Sequence, residues 1–332
     1  MHWTHLDEIG WDRIESLVER AAALKRSPRQ GRPLEGRAVA LCFANPSLRT
    51  RVSLEVATRL LGGHPLVVEL GTETWRIESR DGVVMDAEAA EHVREAVPVL
   101  SRYADALALR AFGAGVSWAE DRQEPLLSAF RRLSSVPVVN LESPTAHPLQ
   151  GLADLLTIRE RMDPKGKNFL LAWVPHVRCL PPAVAHTAAE IASLAGMNVR
   201  ILRPRGFDLD PEVLERVRAA CAERRARFEI TDDAENAYAG VHVVYAKSWG
   251  SLERYGEPPP REASFRARWI VDEEKMGRTD GAIFMHCLPL RRNLEVTDAV
   301  VDSPASVVLD QAGNRLPTAE AVLLSLFAPA EA

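Results

Sequence analysis

The sequence predicts an α/β protein built from two doubly wound domains with mainly parallel sheets. Three observations carry this. Short apolar runs recur along the chain, and amphipathic helical patterns separate many of them. The 332 residues also exceed the roughly 250–300 that one core commonly supports. Repeated strand-helix-strand order favours parallel pairing, with helices on both faces of each sheet.

The first helix is WDRIESLVERAAALKR (residues 11–26), where Ile14, Leu17, Val18, Ala21 and Leu24 form one apolar stripe. Asp12, with Glu15 three residues on, supplies a capping pair. RAVALCF (37–43) has no helical period and reads as a buried strand. NPSLRTR follows, then the helix SLEVATRLLGG, closed by Gly62 and Gly63. Further strands are expected at HPLVVEL (64–70), ADALALR (104–110), VPVVNL (136–141) and NFLLAWV (168–174). Three more follow at MNVRILR (197–203), GVHVVYAK (240–247) and GAIFMH (281–286). Helices are expected at AEHVREAVPVLSRY, PLQGLADLLTIRERM, PPAVAHTAAEIASLAG and PEVLERVRAACAERR. A short strand, SVVL, leads into a last helix, TAEAVLLSLFA, suited to packing on either domain. SLERYGEPPPREAS (251–264) reads as a polar, proline-rich surface loop near a site. The expected domains are 1–145 and 146–332, divided where one αβ series ends and the next begins.

Lys and Arg number 41 against 46 Asp and Glu, a net charge of −5, which argues against a nucleic-acid partner. A small anion needs only a few placed donors. No run of about 18 apolar residues occurs, and MHWTHLDEIG is not patterned as a signal peptide, so neither a membrane nor an exported location is expected. Cys42, Cys179, Cys221 and Cys287 are widely spaced, which fits a reducing cytoplasm better than a disulfide or zinc scaffold. The seven tryptophans have no explanation at this level.

Three polar clusters sit at strand-helix junctions. Ser47-Leu48-Arg49-Thr50-Arg51 puts two hydroxyls and two guanidiniums where a helix N-terminus offers free N–H groups, a cradle for phosphate. A capped helix with two solvated arginines suits the same residues. Neither a GxGxxG nor a P-loop pattern is present. His147-Pro148-Leu149-Gln150 opens a second helix, with Pro148 preorganising its start. A neutral His147 there can donate to a carbonyl while Gln150 binds an amide; a plain helix cap is the alternative. His286-Cys287-Leu288-Pro289-Leu290-Arg291-Arg292 follows an apolar strand, where open α/β sheets place ligands. Cys287 has the chemistry of a nucleophile, but spacing identifies no base for it, so a small structural residue is the default.

Together, S-x-R-T-R, H-P-x-Q and H-C-L-P in this order resemble the carbamoyltransferase family, over essentially the whole chain. The resemblance implies two α/β domains with the active site in the cleft between them, and a homotrimer with sites shared between subunits. It also implies carbamoyl phosphate as donor, with no metal and no organic cofactor. Ser47, Leu48, Arg49 and Thr50 would hold the phosphate, and Arg110 and Arg315 would add donors. His147 and Gln150 would contact the carbamoyl group, and Trp75 resembles a residue lent by the neighbouring subunit. Thr50, Arg110 and His147 would stabilise the carbonyl oxygen as a neutral amine attacks. The backbone around Cys287 and Leu288 would complete this site and orient the amine.

The S-M-G loop of ordinary ornithine enzymes is missing. Tyr245-Ala246-Lys247-Ser248-Trp249-Gly250 and the segment Trp173–Pro181 resemble instead the N-acylornithine branch, which serves arginine synthesis. Lys247 would pair with the substrate carboxylate and Glu142 would contact its nitrogen end, with Leu288 and Arg291 beside them. Acetyl-using members carry Glu before an E-H pair; here Ala90 precedes Glu91-His92, which removes a like-charge penalty for a succinyl group. His176 and Arg178 match the succinyl members' acyl-contacting pair. The expected acceptor is therefore N-succinyl-L-ornithine, with N-acetyl-L-ornithine as the alternative. Free ornithine, or a non-catalytic carbamoyl phosphate sensor, stand behind these. Glu295 stands where some acetyl-type members have Lys, with either an orienting role or none.

Overall fold

The computed structural model describes residues 2–27 and 31–327. The chain begins with α1 (Leu6–Ile9), α2 (Trp11–Arg26), β1 (Ala38–Phe43), α3 (Leu48–Leu60) and β2 (His64–Glu69). Next come β3 (Arg76–Glu78), β4 (Ala89–His92), α4 (Val93–Tyr103), β5 (Ala106–Arg110), α5 (Trp118–Asp121), α6 (Pro125–Leu133) and β6 (Val138–Glu142). Then α7 (Pro148–Arg159), β7 (Asn168–Trp173), α8 (Ala183–Leu194), β8 (Asn198–Leu202), α9 (Pro211–Glu223) and β9 (Phe228–Thr231) follow. The chain closes with β10 (Val243–Lys247), α10 (Ala263–Trp269), α11 (Glu273–Gly277), β11 (Ile283–Met285), α12 (Asp298–Val301), α13 (Val308–Gly313) and α14 (Arg315–Phe327).

Two units emerge. The first holds Met1–Ala114, Ala119–Leu152 and Arg315–Ala332, and the second holds Gly115–Trp118 and Ala153–Asn314. The sequence reading divides the chain after residue 145; by its own contacts it divides inside α7, and α14 is grouped with the first unit, against α2 and α3.

The first unit is a four-stranded sheet in the order β2-β1-β5-β6, parallel throughout. Side chains alternate across it. Ala40 and Cys42 of β1, with Leu107 and Leu109 of β5, pack on Val93 and Val97 of α4 and on Leu127 and Phe130 of α6. Val39, Leu41 and Phe43 point the other way and are equally buried, so both faces are covered as a parallel sheet requires. Trp3 extends the sheet beside β6, its N–H bonding Val138 O at 2.7 Å and its carbonyl accepting from Asn140 N at 2.9 Å.

The second unit is a five-stranded parallel sheet in the order β11-β10-β7-β8-β9. Its core accounts for three of the seven tryptophans. Trp173 packs on Phe207, Phe265 and Trp269, and donates its indole N–H to Trp249 O at 2.8 Å. Trp249 in turn donates to Phe207 O at 2.8 Å.

In each sheet the strand order reverses beside the first strand laid down. In the first unit that point lies between β1 and β5, in the second between β7 and β10. Ligands of open α/β sheets bind at the carboxyl ends of such strands.

Several expectations are corrected. Gly10, not Asp12, stands at the N-cap of α2, with no side-chain cap bond, because Asp12 is already inside the first turn. The helix after β1 starts at Leu48, so Leu48–Arg51 form its first turn rather than a preceding loop. Gly62, just beyond it, adopts φ +86°, the left-handed conformation expected of a helix-ending glycine. Ala90 lies not in a helix but in β4, as the extra residue of a bulge between the pairs Arg76–Ala89 and Ile77–Glu91. SVVL forms a single bridge, Ser306 to Phe284, and then opens α13. The strands β3, β4 and β9 are too short and too polar to stand out as apolar runs. Ala328, where the expected last helix ends, lies outside the described residues.

Candidate active site

In the first unit, β1 and β5 end side by side, Phe43 pairing with Arg110. Ser47 caps α3 in an extended conformation, and its hydroxyl makes no cap bond. Leu48 projects outward and is exposed, while Thr50, one turn in, is buried. Arg49 is half-buried. Arg51 is engaged elsewhere, by Glu55 at 3.1 Å and by Glu69, so it adds no free charge to the cradle.

Arg315, the first residue of α14, organises the rest. It donates to Gln150 Oε1 at 2.7 Å and to Thr50 Oγ1 at 3.0 Å, and its Nη1 lies 3.4 Å from His147 Nε2. All four side chains are buried. Because Thr50 Oγ accepts from Arg315, its own hydroxyl proton is left to be donated outward.

Arg110, at the end of β5, forms an ion pair with Glu142 at the end of β6. Its guanidinium also lies over the Phe112 ring, 4.7 Å from the centroid. Its Nε is buried and finds no hydrogen-bond partner among the described residues. Glu142 Oε2 sits 3.6 Å from His147 Nε2. Glu142, expected to serve the acylornithine, is thus placed among the carbamoyl phosphate candidates. Burial first, and then the positive charges of Arg315, Arg110 and Arg49, hold the His147 imidazole well below its ordinary range and therefore neutral.

Trp75 and Ala90 stand apart from this cluster. Trp75 is 58% exposed and donates its indole N–H to Glu91 Oε2 at 2.7 Å. No described hydrogen bond or ion pair links either residue to Thr50, Arg110, His147 or Gln150.

In the second unit, the turn after β7, the end of β10 and the turn after β11 carry the remaining candidates. Lys247, the last residue of β10, is buried. Arg291 donates from Nε to His176 Nε2 at 3.1 Å, and Arg178 N lies 3.0 Å from His176 Nδ1. The Arg178 side chain itself is exposed. Leu288 adopts φ +53° and its N–H bonds His286 Nδ1 at 2.9 Å. The other ring nitrogen of His286 faces Glu295 Oε2 at 3.2 Å. Both ring nitrogens of His286 are thus engaged.

Sequence reasoning left open whether Glu295 orients a neighbour, and missed Gln311 and Asp154. Gln311 accepts from His286 N at 2.9 Å and donates to Asp154 at 2.6 Å, which ties the end of β11 to α7. Only the polar run DQAGNR, ending in Arg315, hinted at this. Among the described residues no helix is long and apolar enough to cross a membrane.

Residues 1–160 match the aspartate/ornithine carbamoyltransferase carbamoyl-P binding domain, and residues 181–326 match the Asp/Orn binding domain of the same enzymes. The chain is 42% identical to the N-acetylornithine carbamoyltransferase of Xanthomonas campestris pv. campestris, over 97% of this chain and 96% of that one. It is 35% identical to the N-succinylornithine carbamoyltransferase of Bacteroides thetaiotaomicron, over 86% of each. A solved N-acetyl-L-ornithine transcarbamylase variant, with alanine in place of a glutamate, superposes with a TM-score of 0.92 at 40% identity, over 98% of this chain and 99% of that one. That variant is complexed with carbamyl phosphate and N-succinyl-L-norvaline.

Proposed function

This chain belongs to the aspartate/ornithine carbamoyltransferase family, and from that footing we propose that it transfers the carbamoyl group of carbamoyl phosphate to the δ-amine of N-acetyl-L-ornithine. The observation that carries the reading is the buried set Thr50, His147, Gln150 and Arg315, beside Arg110 at the carboxyl ends of β1 and β5. The first turn of α3 would bind the phosphate. The neutral δ-amine attacks the carbamoyl carbon, the new C–N bond forms, and the bond from carbon to the phosphate oxygen breaks. Thr50, Arg110 and neutral His147 donate to the carbonyl oxygen as its charge grows, each worth about 2.7–4 kcal/mol in comparable sites. The departing phosphate takes the amine proton, so no protein base is needed.

Acetyl is preferred over the succinyl group that Ala90 favoured. Identity to the N-acetyl relative is higher, 42% against 35%, and runs over more of the chain. Whole-chain likeness samples every substrate contact, whereas Ala90 is one exposed side chain. Ala90 still favours a second reading, N-succinyl-L-ornithine, in keeping with the alanine-bearing relative solved with an N-succinyl compound. A panel of N-acetyl-, N-succinyl- and free ornithine at fixed carbamoyl phosphate tests both, with citrulline-type product and phosphate measured. Faster succinyl turnover establishes the second reading, and Ala90→Glu should then suppress it. Free ornithine as best substrate, or tight carbamoyl phosphate binding without turnover, overturns both.

The homotrimer is part of the same proposal. Leu48, Val52, Val56 and Leu60 form an exposed apolar stripe at helical spacing along α3, and Trp75, Val84 and Met85 are exposed nearby in sequence. A second copy of the chain would cover them. Light scattering in solution reads the assembly directly. The described cysteines are all free thiols, in keeping with a reducing compartment.

A further inference from the structure

Glu295 is 2% exposed, too buried for a charge that does nothing. One of its oxygens, Oε2, meets both His286 Nε2 at 3.2 Å and Arg291 N at 3.1 Å. The other, Oε1, lies 3.7 Å from His176 Nε2. The Leu288 N–H can only donate, so His286 Nδ1 is the acceptor and Nε2 carries the proton it gives to Glu295. His286 thereby holds the left-handed Leu288 backbone in place, and Glu295 holds His286. Arg291 is held twice, through its own N–H and through His176. Burial opposes ionisation of Glu295, but the hydrogen bond from His286 and the positive charge of Lys247 hold its carboxyl below the usual range.

We propose that Glu295 is a positioning residue for the acylornithine half of the site: one buried carboxylate that orients Arg291 through its N–H and the Leu288 backbone through His286. The inference rests on the proposed carbamoyl transfer. Its physical content is that a fixed negative charge in the second unit aligns Arg291, which would bind the acceptor, directly, and reaches the donor only indirectly, through the Leu288 backbone. Replacing it should therefore weaken the acylornithine much more than carbamoyl phosphate.

Glu295→Gln keeps the shape and, with its carbonyl in the Oε2 position, both hydrogen bonds there, while removing the charge. Glu295→Ala removes everything. Steady-state kinetics with N-acetyl-L-ornithine, N-succinyl-L-ornithine and carbamoyl phosphate should show KM for the preferred acylornithine raised about tenfold in Gln and further in Ala, as expected for a buried charged hydrogen bond. KM for carbamoyl phosphate should stay within about twofold, less than half a kcal/mol. Unchanged acylornithine KM in Gln, or equal rises for both substrates, overturns the proposal. If Ala does not fold, Gln alone decides. Nitrogen-15 shifts of the His286 ring give a readout independent of turnover: loss of the Glu295 acceptor should move the Nε2 resonance in Ala, while Gln keeps it near the parent position. A parent without carbamoyl transfer refutes the functional reading, whereas an active parent with a normal Gln variant refutes this role alone.

Discussion

Arg315 donates to Gln150 at 2.7 Å across 165 positions of sequence, and the same guanidinium reaches Thr50 across 265. The first turn of α14 is thereby locked to the first turns of α3 and α7. A planar fork is needed for this, since its two nitrogens serve different partners. Arg315→Lys keeps a charge but cannot span both. We expect kcat/KM for carbamoyl phosphate to fall about a hundredfold, with the melting temperature within a few degrees of the parent, read by phosphate release and thermal unfolding.

The neutral His147 sets a pH signature. Burial and three guanidiniums hold its pKa well below 6.5, so it does not titrate near neutrality. From about pH 6 to pH 8, kcat/KM for carbamoyl phosphate should show no inflection assignable to this imidazole. A step near the ordinary histidine value that disappears in His147→Asn would contradict the assignment.

His5 and Glu124 make a pH-dependent strut in the first unit. Burial alone would lower the His5 pKa, but hydrogen bonds to Glu124 and Glu8 outweigh it and raise the value to about 10. Burial likewise opposes ionisation of Glu124, and the His5 contact reverses that, so its carboxyl is held below the usual range. The His5 contribution is fully present below its unfolded value of 6.5 and is lost as pH rises through about 10. The Glu124 contribution is lost as pH falls through its own depressed value. Parent stability minus that of His5→Gln should thus be largest at mildly acidic pH, just below 6.5, about 3 kcal/mol for breaking a buried pair, and shrink toward pH 10 in denaturant titrations.

Gly250 is required by a neighbour. A Cβ there would fall on Cys179 Sγ, and the Gly250 N–H bonds Leu180 O at 3.0 Å, so the backbone has no room to move away. Gly250→Ala should cost about 1–3 kcal/mol by overpacking. Removing the sulfur in a Cys179→Ala, Gly250→Ala double variant should restore most of it. Additive losses in that thermodynamic cycle would show that the clash is not the cause.

Much of this was legible in advance because the signals are local. Apolar runs and helical stripes fall within a dozen residues, and they located the strands from β1 to β11 that exceed four residues. Polar residues at strand-helix junctions marked Thr50, His147 and Arg291 for the same reason, and the family resemblance added Lys247. The polar strands β3 and β4 carry no such period, which is why Ala90 was read as helical. The pairing of Glu142 with Arg110 was not foreseen, because which strand neighbours β5 is not written in its own segment.

The sequence alone determined the α/β alternation, the polar clusters at the helix starts and the family motifs, since each depends on neighbours a few positions away. Strand order decided the rest. It laid β6 beside β5, so that Glu142 meets Arg110, while the packing of α14 on α3 lets Arg315 hold Thr50. It also closed the turns after β7 and β11 around Glu295. Those contacts depend on how distant segments share low-dielectric space, and burial there turned a charge of no evident purpose into a hydrogen-bonded hub.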